Sequence, residues 1–163
     1  MRIRSRVALA LAGTATTLAL AAATVALATP PSGETITPLA RAPLVKPANI
    51  NVKVGNGRVR IKTQGAVDAL TLQNTLAPGG TAGWHMLAGP HIAIVVQGTL
   101  TIIDAKCKRH DVPAGDANID PGGSVEKAEN LGSTPVVVYV TLLVPHGATS
   151  PRIDQPAPAG CTA

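Results

Sequence analysis

The stretch GGTAGWHMLAGPHIAIVVQG, residues 79–98, decides the fold that we predict. It contains two short segments with strand-like composition, Trp84–Leu87 and Ile92–Val96. The turn-forming sequence Ala-Gly-Pro separates them, because glycine and proline favour the backbone angles of tight turns. A strand, a turn and a second strand at this spacing indicate β-structure.

The same pattern of short strands continues on both sides of this stretch. Strands are predicted at 52–54, 59–61, 69–76, 99–103, 125–128 and 136–144. No segment of ten or more residues after Ala28 has a convincing helical period. Short strands with a turn about every eight to twelve residues are typical of sandwiches and barrels. The sequence therefore predicts an all-β fold in a single domain.

Composition excludes one class of partner. The chain has 163 residues, with 14 Lys and Arg against 9 Asp and Glu. Three of the arginines lie within the first six residues, so the formal charge of the remainder falls from +5 to +2. Only Trp84 and Tyr139 are aromatic, which leaves no surface on which bases could stack. We therefore expect no nucleic-acid partner.

The N-terminus has the features of an export signal. Three arginines precede an apolar run from Val7 to Ala28, and prolines follow at once. We predict a signal peptide at residues 1–28 for the general secretory route, with cleavage near Ala28, and a secreted, extracytoplasmic protein without a membrane partner. An uncleaved anchor is the alternative, since 22 residues can span a bilayer. Residues 29–48 are predicted to be a Pro-rich arm or linker, and 49–163 a β-barrel domain.

The two cysteines are interpreted through this predicted location. In an oxidising compartment, an even pair without a CxxC spacing favours one disulfide, Cys107 to Cys161. That bond would connect the Pro-rich C-terminal tail to the body of the domain. Two independent thiols are the alternative.

Two spaced motifs make the prediction more specific. The first places Gly79, His85, Leu87, His91 and Gly98 at fixed intervals. The second has the members Gly115, Pro121, Gly123, Glu126 and Asn130. This spacing resembles the paired motifs of the cupin superfamily. The amino-acid sequence from about residue 50 to 163 is similar to that of small exported bacterial cupins. The resemblance implies a jelly-roll β-barrel in which four inward side chains hold a metal.

The ligand positions depart from that family pattern. Only His85 keeps the family's residue; Leu87 replaces the second histidine, His91 stands where a glutamate is expected, and Glu126 stands where the last histidine is expected. Two imidazoles and one carboxylate still suit a divalent transition metal such as Zn, Mn, Fe or Ni. His85, His91 and Glu126 are therefore the candidate metal ligands. A metal-free His–Glu cluster inside the barrel and a solvent-facing scatter are the alternatives.

Several other polar residues are assigned to the surface or to turns. Strand alternation places Lys127 and Glu129 outside the barrel cavity. The remaining surface residues are His110, His146, Arg58, Arg60 and Lys62, and the turn-forming acids are Asp104, Asp116 and Asp120.

Three functions are compatible with these observations. The favoured one is an exported, non-catalytic or weakly catalytic module that binds a divalent metal or a small molecule in its barrel. The second is a metal-dependent cupin enzyme of the oxygenase, isomerase or lyase type, for which no catalytic residue is assigned. The third is a structural or partner-binding role, with a homodimer formed through edge strands and the arm of residues 29–48 as the form considered. Whether the chain is an enzyme is left open at this point.

Overall fold

A computed structural model describes residues 28–162. The predicted signal peptide, residues 1–28, lies outside these residues except for Ala28. The described part contains eleven strands and no helix, so it has no helix that could span a membrane. The strands are β1 Ser32–Pro43, β2 Asn49–Val54, β3 Gly57–Lys62, β4 Val67–Leu87, β5 His91–Gln97, β6 Thr99–Asp104, β7 Arg109–Pro113, β8 Ala117–Asp120, β9 Glu126–Glu129, β10 Val136–Pro145 and β11 Arg152–Asp154. The prediction of an all-β fold is confirmed.

Strand β4 organises the barrel. Its first half pairs with β1 on one side and with β10 on the other, which in turn pairs with β5 and, through β5, with β8. Its second half pairs with β9 and β11, and β9 leads on to β6 and β7. All strands except β2 and β3 therefore form one sheet that folds over into a nearly closed barrel.

The sequence predicted two separate strands where β4 is continuous, because Pro78-Gly79-Gly80 is typical of a turn that ends a strand. The chain bends there instead, held by the buried Asn130. The side-chain amide of Asn130 donates to the carbonyls of Leu76 and Ala77 at 3.0 Å each, and its backbone N–H donates to Gly80 at 2.8 Å. A Cβ at Gly80 would lie 2.8 Å from the Ala77 carbonyl oxygen. Glycine therefore lets the strand cross from one side of the barrel to the other.

The segment predicted as an arm or linker contains strand β1. It is extended, as expected, but it pairs with β4 over most of its length and so is part of the sheet. Among the described residues β1 has a partner strand on one side only. Its prolines are tolerated because a missing N–H can point to the unpaired side. The predicted linker is therefore corrected to an edge strand of the barrel.

Strands β2 and β3 form the hairpin that the alternation of residues 52–61 predicted. Within residues 28–162 the two strands of the hairpin pair with each other and not with strands of the barrel, so they make a separate two-stranded sheet. Residues 49–62 are thus an appendage between β1 and β4, although the sequence placed them in the barrel domain.

The apolar core lies on the inner face of the barrel. One cluster joins both halves of the sheet, and a smaller cluster of Leu70, Leu142 and Val144 lies at one end. The larger cluster consists of Leu76, Ala93, Val95, Leu100, Ile102, Val112, Val136 and Val138. Outside the wall, a disulfide joins Cys107 to Cys161, the pair that the sequence suggested, and holds the C-terminal tail against the barrel.

Candidate functional site

The three candidate ligands converge inside the barrel. His85 on β4 lies directly opposite Glu126 on β9 in the strand register, and His91 begins β5. Nε2 of His85 is 3.9 Å from Oε1 of Glu126, and Nε2 of His91 is 3.6 Å from the same oxygen. All three side chains are buried or nearly so. Their burial and proximity exclude the alternative in which the three side chains are dispersed and face solvent.

The backbone beside His85 fixes the state of its ring. Nδ1 of His85 is 3.0 Å from the carbonyl oxygen of Gly83. Because a carbonyl can only accept, we assign the ring proton to Nδ1, which leaves the Nε2 lone pair directed at Glu126. Gly83 has φ +65°, an angle that favours glycine.

Burial controls the charges of the site. It raises the pKa of Glu126 to about 7, with a further contribution from the negative charge of Asp120. It lowers the pKa of His85 to about 4. The pKa of His91 is also lowered by burial, against the opposing effects of Asp120 and the Gly89 carbonyl. Near neutral pH both rings are therefore neutral, and the carboxyl group of Glu126 is close to half ionised.

Several hydrogen-bonding atoms of the cluster have no partner within the described chain, although Nδ1 of His85 has one. Among residues 28–162 we find no hydrogen bond to the carboxyl group of Glu126, since both Nε2 atoms exceed hydrogen-bonding distance. Nδ1 of His91 is buried without a partner of good geometry in the same residues. Nor do the described residues contain three His, Cys, Asp or Glu side chains already arranged to hold a metal ion.

The cluster opens onto a cavity of about 680 Å³ inside the barrel. Leu87 faces it from β4, two residues after His85, as strand alternation predicted. Most of the wall is aliphatic. The apolar lining includes Leu70, Leu72, Ala93, Leu100, Ile102, Val138, Val140 and Leu142.

A second polar group lines the same cavity and was missed by the sequence analysis. Glu34 on β1 accepts a hydrogen bond from the side-chain amide of Asn74 at 2.7 Å. It also forms an ion pair with Arg152 at 3.2 Å. Arg152 also pairs with Asp154 at 2.7 Å. These residues are far apart in the chain, so no motif unites them. The one available signal was Asn74, a polar residue on the inward face of β4 between Leu72 and Leu76.

The off-motif residues lie where the sequence placed them, with two refinements. His146 is exposed, but its Nδ1 lies 2.6 Å from the buried carboxyl group of Asp68, which Arg41 also contacts at 2.7 Å. Lys127 points away from the cavity yet is buried, and it forms an ion pair with Glu129 at 2.7 Å.

Asp104 and Asp120 stabilise turns, as predicted. Oδ1 of Asp104 accepts the backbone N–H groups of Lys106 and Lys108 at 2.8 and 2.9 Å, and Oδ1 of Asp120 accepts the N–H of Gly122 at 2.6 Å.

Comparison with known proteins gives likeness to solved structures only. No protein-family model matches the chain, and no curated protein matches it. An oxalate oxidase in complex with the substrate analogue glycolate is 22% identical with a TM-score of 0.44, covering 52% of this chain and 45% of its own. A cupin superfamily protein from Desulfitobacterium hafniense is 14% identical with a TM-score of 0.42, covering 47% and 67%.

A predicted oxalate decarboxylase from Thermotoga maritima is 22% identical with a TM-score of 0.42, covering 50% of this chain and 83% of its own. The present chain thus spans less than half the length of the oxalate oxidase chain. Independently of these likenesses, the two motifs lie on β4, β5 and β9, and their side chains meet in the barrel. The described residues therefore form a nearly closed, all-β barrel, as predicted, in which side chains of the two motifs meet.

Proposed function

We propose that this protein binds a divalent transition metal through His85, His91 and Glu126 and holds a small, largely apolar molecule in the adjoining cavity, without catalysis. The observation that carries the proposal is the approach of both imidazole Nε2 atoms to one carboxylate oxygen, at 3.9 and 3.6 Å. No direct hydrogen bond among residues 28–162 explains that arrangement.

The distances suit ligands of one ion after a small adjustment. Bonds of about 2.1 Å from a metal to nitrogen and oxygen separate two neighbouring ligand atoms by about 3.0 to 3.5 Å. The separations of Glu126 Oε1 from the rings of His91 and His85 exceed this by a few tenths of an ångström. Rotation of the carboxylate, which no hydrogen bond within the described chain restrains, would close the gap.

The charges favour a cation at the same point. A buried carboxylate without a positive partner is costly, which is the cause of the raised pKa of Glu126. The nearest lysine in sequence, Lys127, points to the other face of the strand and pairs with Glu129. A divalent ion would compensate the negative charge of Glu126. Nε2 of His85 carries no proton, because the ring proton is on Nδ1, and its lone pair is therefore available for coordination.

The cavity favours binding over catalysis. Three protein ligands leave open coordination positions, and the aliphatic wall suits an apolar body with one oxygen donor directed at the metal. A metal there would supply Lewis acidity. Apart from Glu126, the acid that lines the cavity in the described chain is Glu34, which is already bonded to Asn74 and Arg152. We identify no uncommitted acid or base among the described lining residues.

We also propose that the protein acts outside the cytoplasm. The Cys107–Cys161 disulfide supports this location, because such bonds persist in oxidising compartments. Fractionation of the source cells, with mass spectrometry of the mature N-terminus, tests it. A protein found in the cytoplasm with two reduced cysteines would contradict the proposal.

Calorimetric titration of the chelator-treated protein with Zn²⁺ or Mn²⁺ tests metal binding. We expect one ion per chain, and affinity at least about tenfold weaker for Glu126→Gln, because two protein ligands then remain. Asp111→Asn removes the same charge from an exposed carboxylate and serves as the control, with affinity expected within about twofold of the native protein. Equal affinity in the native and Glu126→Gln proteins, or no binding to either, would refute the assignment.

A further inference from the structure

The β2–β3 hairpin has two chemically different faces. Cross-strand pairing places Ile50 beside Ile61 and Val52 beside Val59, with Val54 next to them. These five aliphatic side chains are 38% to 72% exposed. The opposite face carries four cations, Lys53, Arg58, Arg60 and Lys62. An isolated two-stranded hairpin is marginally stable in water, so this apolar face needs a covering surface.

The outer face of the barrel has a second apolar surface, which we call the β5 patch. It consists of Ile92, Ile94, Val96, Ile119 and Tyr139, between 40% and 73% exposed. The patch is continuous, because Ile94 lies opposite Tyr139 on β10 and Ile92 lies opposite Ile119 on β8. Exposed apolar patches of this kind mark interaction surfaces.

A groove of about 610 Å³ connects the two surfaces. Ile61 lines one side of it, and Ile92, Ile119 and Leu143 line the other. An apolar element placed in the groove would contact both the hairpin and the β5 patch. The hairpin itself has the composition of such an element.

The charge distribution favours a second copy as the occupant. The hairpin carries a formal charge of +4 and no acid. The rest of residues 28–162 carries seven Lys or Arg and nine Asp or Glu, a charge of −2. Among these acids, Asp116 directly precedes β8, the strand that contributes Ile119 to the patch. The positively charged hairpin of one copy would therefore approach a second copy whose remaining described residues carry a net negative charge.

We infer that two copies of this chain form a two-fold symmetric dimer in which the hairpin of each copy packs on the β5 patch of the other. Two-fold symmetry makes the contact reciprocal, so one interface covers both apolar surfaces of both chains. Ten apolar residues about half exposed offer an area on the order of the ~800 Å² that each partner contributes to a stable interface.

Sedimentation velocity of the native protein at micromolar concentration tests the inference. We expect a dimer that dissociates at least about 100-fold more readily with Val59→Asp or with Ile94→Asp, because each places a charge in an apolar contact. Asn51→Asp adds the same charge to the polar face of the hairpin and should leave the dimer intact. Emission from the buried Trp84 should be unchanged in all three variants, which shows that the barrel is folded.

Mixing the two dissociated variants distinguishes reciprocal exchange from other dimers. The native hairpin of the Ile94→Asp chain can pack on the native patch of the Val59→Asp chain, so we expect heterodimers with one intact contact. Contacts between like surfaces would give no recovery, because both would then contain a charge. A native monomer, a dimer unaffected by either substitution, no recovery on mixing, or association with anionic phospholipid vesicles in place of self-association would overturn the inference.

Discussion

Trp84 and Lys127 are cross-strand neighbours on the outer side of the barrel wall, with Nζ of Lys127 6.0 Å from the centre of the indole ring. Their partners in sequence, His85 and Glu126, face the cavity from the same two strands. The indole Nε1 donates to the carbonyl oxygen of Thr162 at 3.0 Å, so the C-terminal tail covers the tryptophan. The environment of Trp84 therefore reports on the tail.

Breaking the Cys107–Cys161 disulfide should release that tail. We expect reduction, or Cys161→Ser, to shift the emission of Trp84 to longer wavelength and to lower the Tm. The loss of stability should be at most about 4 kcal/mol for a loop of this length. Trp84 is the single tryptophan, so its fluorescence is unambiguous. Unchanged emission and Tm, with two thiols titrated, would contradict the covering role of the tail.

The metal-free protein should lose stability as pH rises through the pKa of Glu126. Its folded-state pKa is raised to about 7, so its contribution to stability is full below the unfolded value near 4.5 and lost as pH rises past 7. Glu126→Gln lacks this loss and should be more stable than the native protein at pH 8, by on the order of 3 kcal/mol. Urea unfolding from pH 4.5 to 8 measures the difference.

His85 has the opposite pH dependence, because its lowered pKa favours the neutral ring above pH 6.5. Both proteins keep His85, so their difference isolates Glu126. If that difference stays constant from pH 4.5 to 8, then Glu126 is not desolvated as described.

Leu87→His should strengthen metal binding. The new ring would enter the cavity from the same face of β4 as His85 and add a fourth ligand, so we expect affinity at least about tenfold higher by calorimetry. A metal-free cluster predicts the reverse, destabilisation without binding, because an unpartnered polar ring would lie in an aliphatic wall. Met86→His places the same ring on the other face of β4 and is the matched control.

The contacts of Asp68 should make part of the stability sensitive to acid. The hydrogen bond from His146, opposed by burial and aided by Arg41, lowers its pKa below the usual 3.8. This stabilisation is present above pH 4 and lost as pH falls through the folded-state value. Asp68→Asn should therefore lower the Tm at pH 6 and have a smaller effect at pH 2. Asp116→Asn, at an exposed site, should change the Tm little at either pH, and equal effects of both variants would refute this role.

Local patterns were sufficient to predict most strands and the convergence of three side chains. Alternation placed His85 and Leu87 on one face, whereas the position of His91 and Glu126 beside them was implied by the resemblance of the two motifs to those of the cupin superfamily. Patterns could not predict β1, since a Pro-rich segment is extended whether or not a strand pairs with it. They also could not unite Glu34 with Arg152, because that ion pair joins the first and last strands of the fold. Contacts between distant segments depend on topology, which short sequence windows do not contain.

The continuity of β4 has a consequence for how the molecule unfolds. One strand supplies hydrogen-bond partners to β1 and β10 in its first half and to β9 and β11 in its second. Neither half of the barrel can open fully without freeing the strand that the other half needs. Amide hydrogen exchange should therefore reach the same slow limit on both sides of the bend at Pro78-Gly79-Gly80, as a single cooperative unit. The hairpin of residues 49–62 lies outside that unit and should exchange faster in dilute solution.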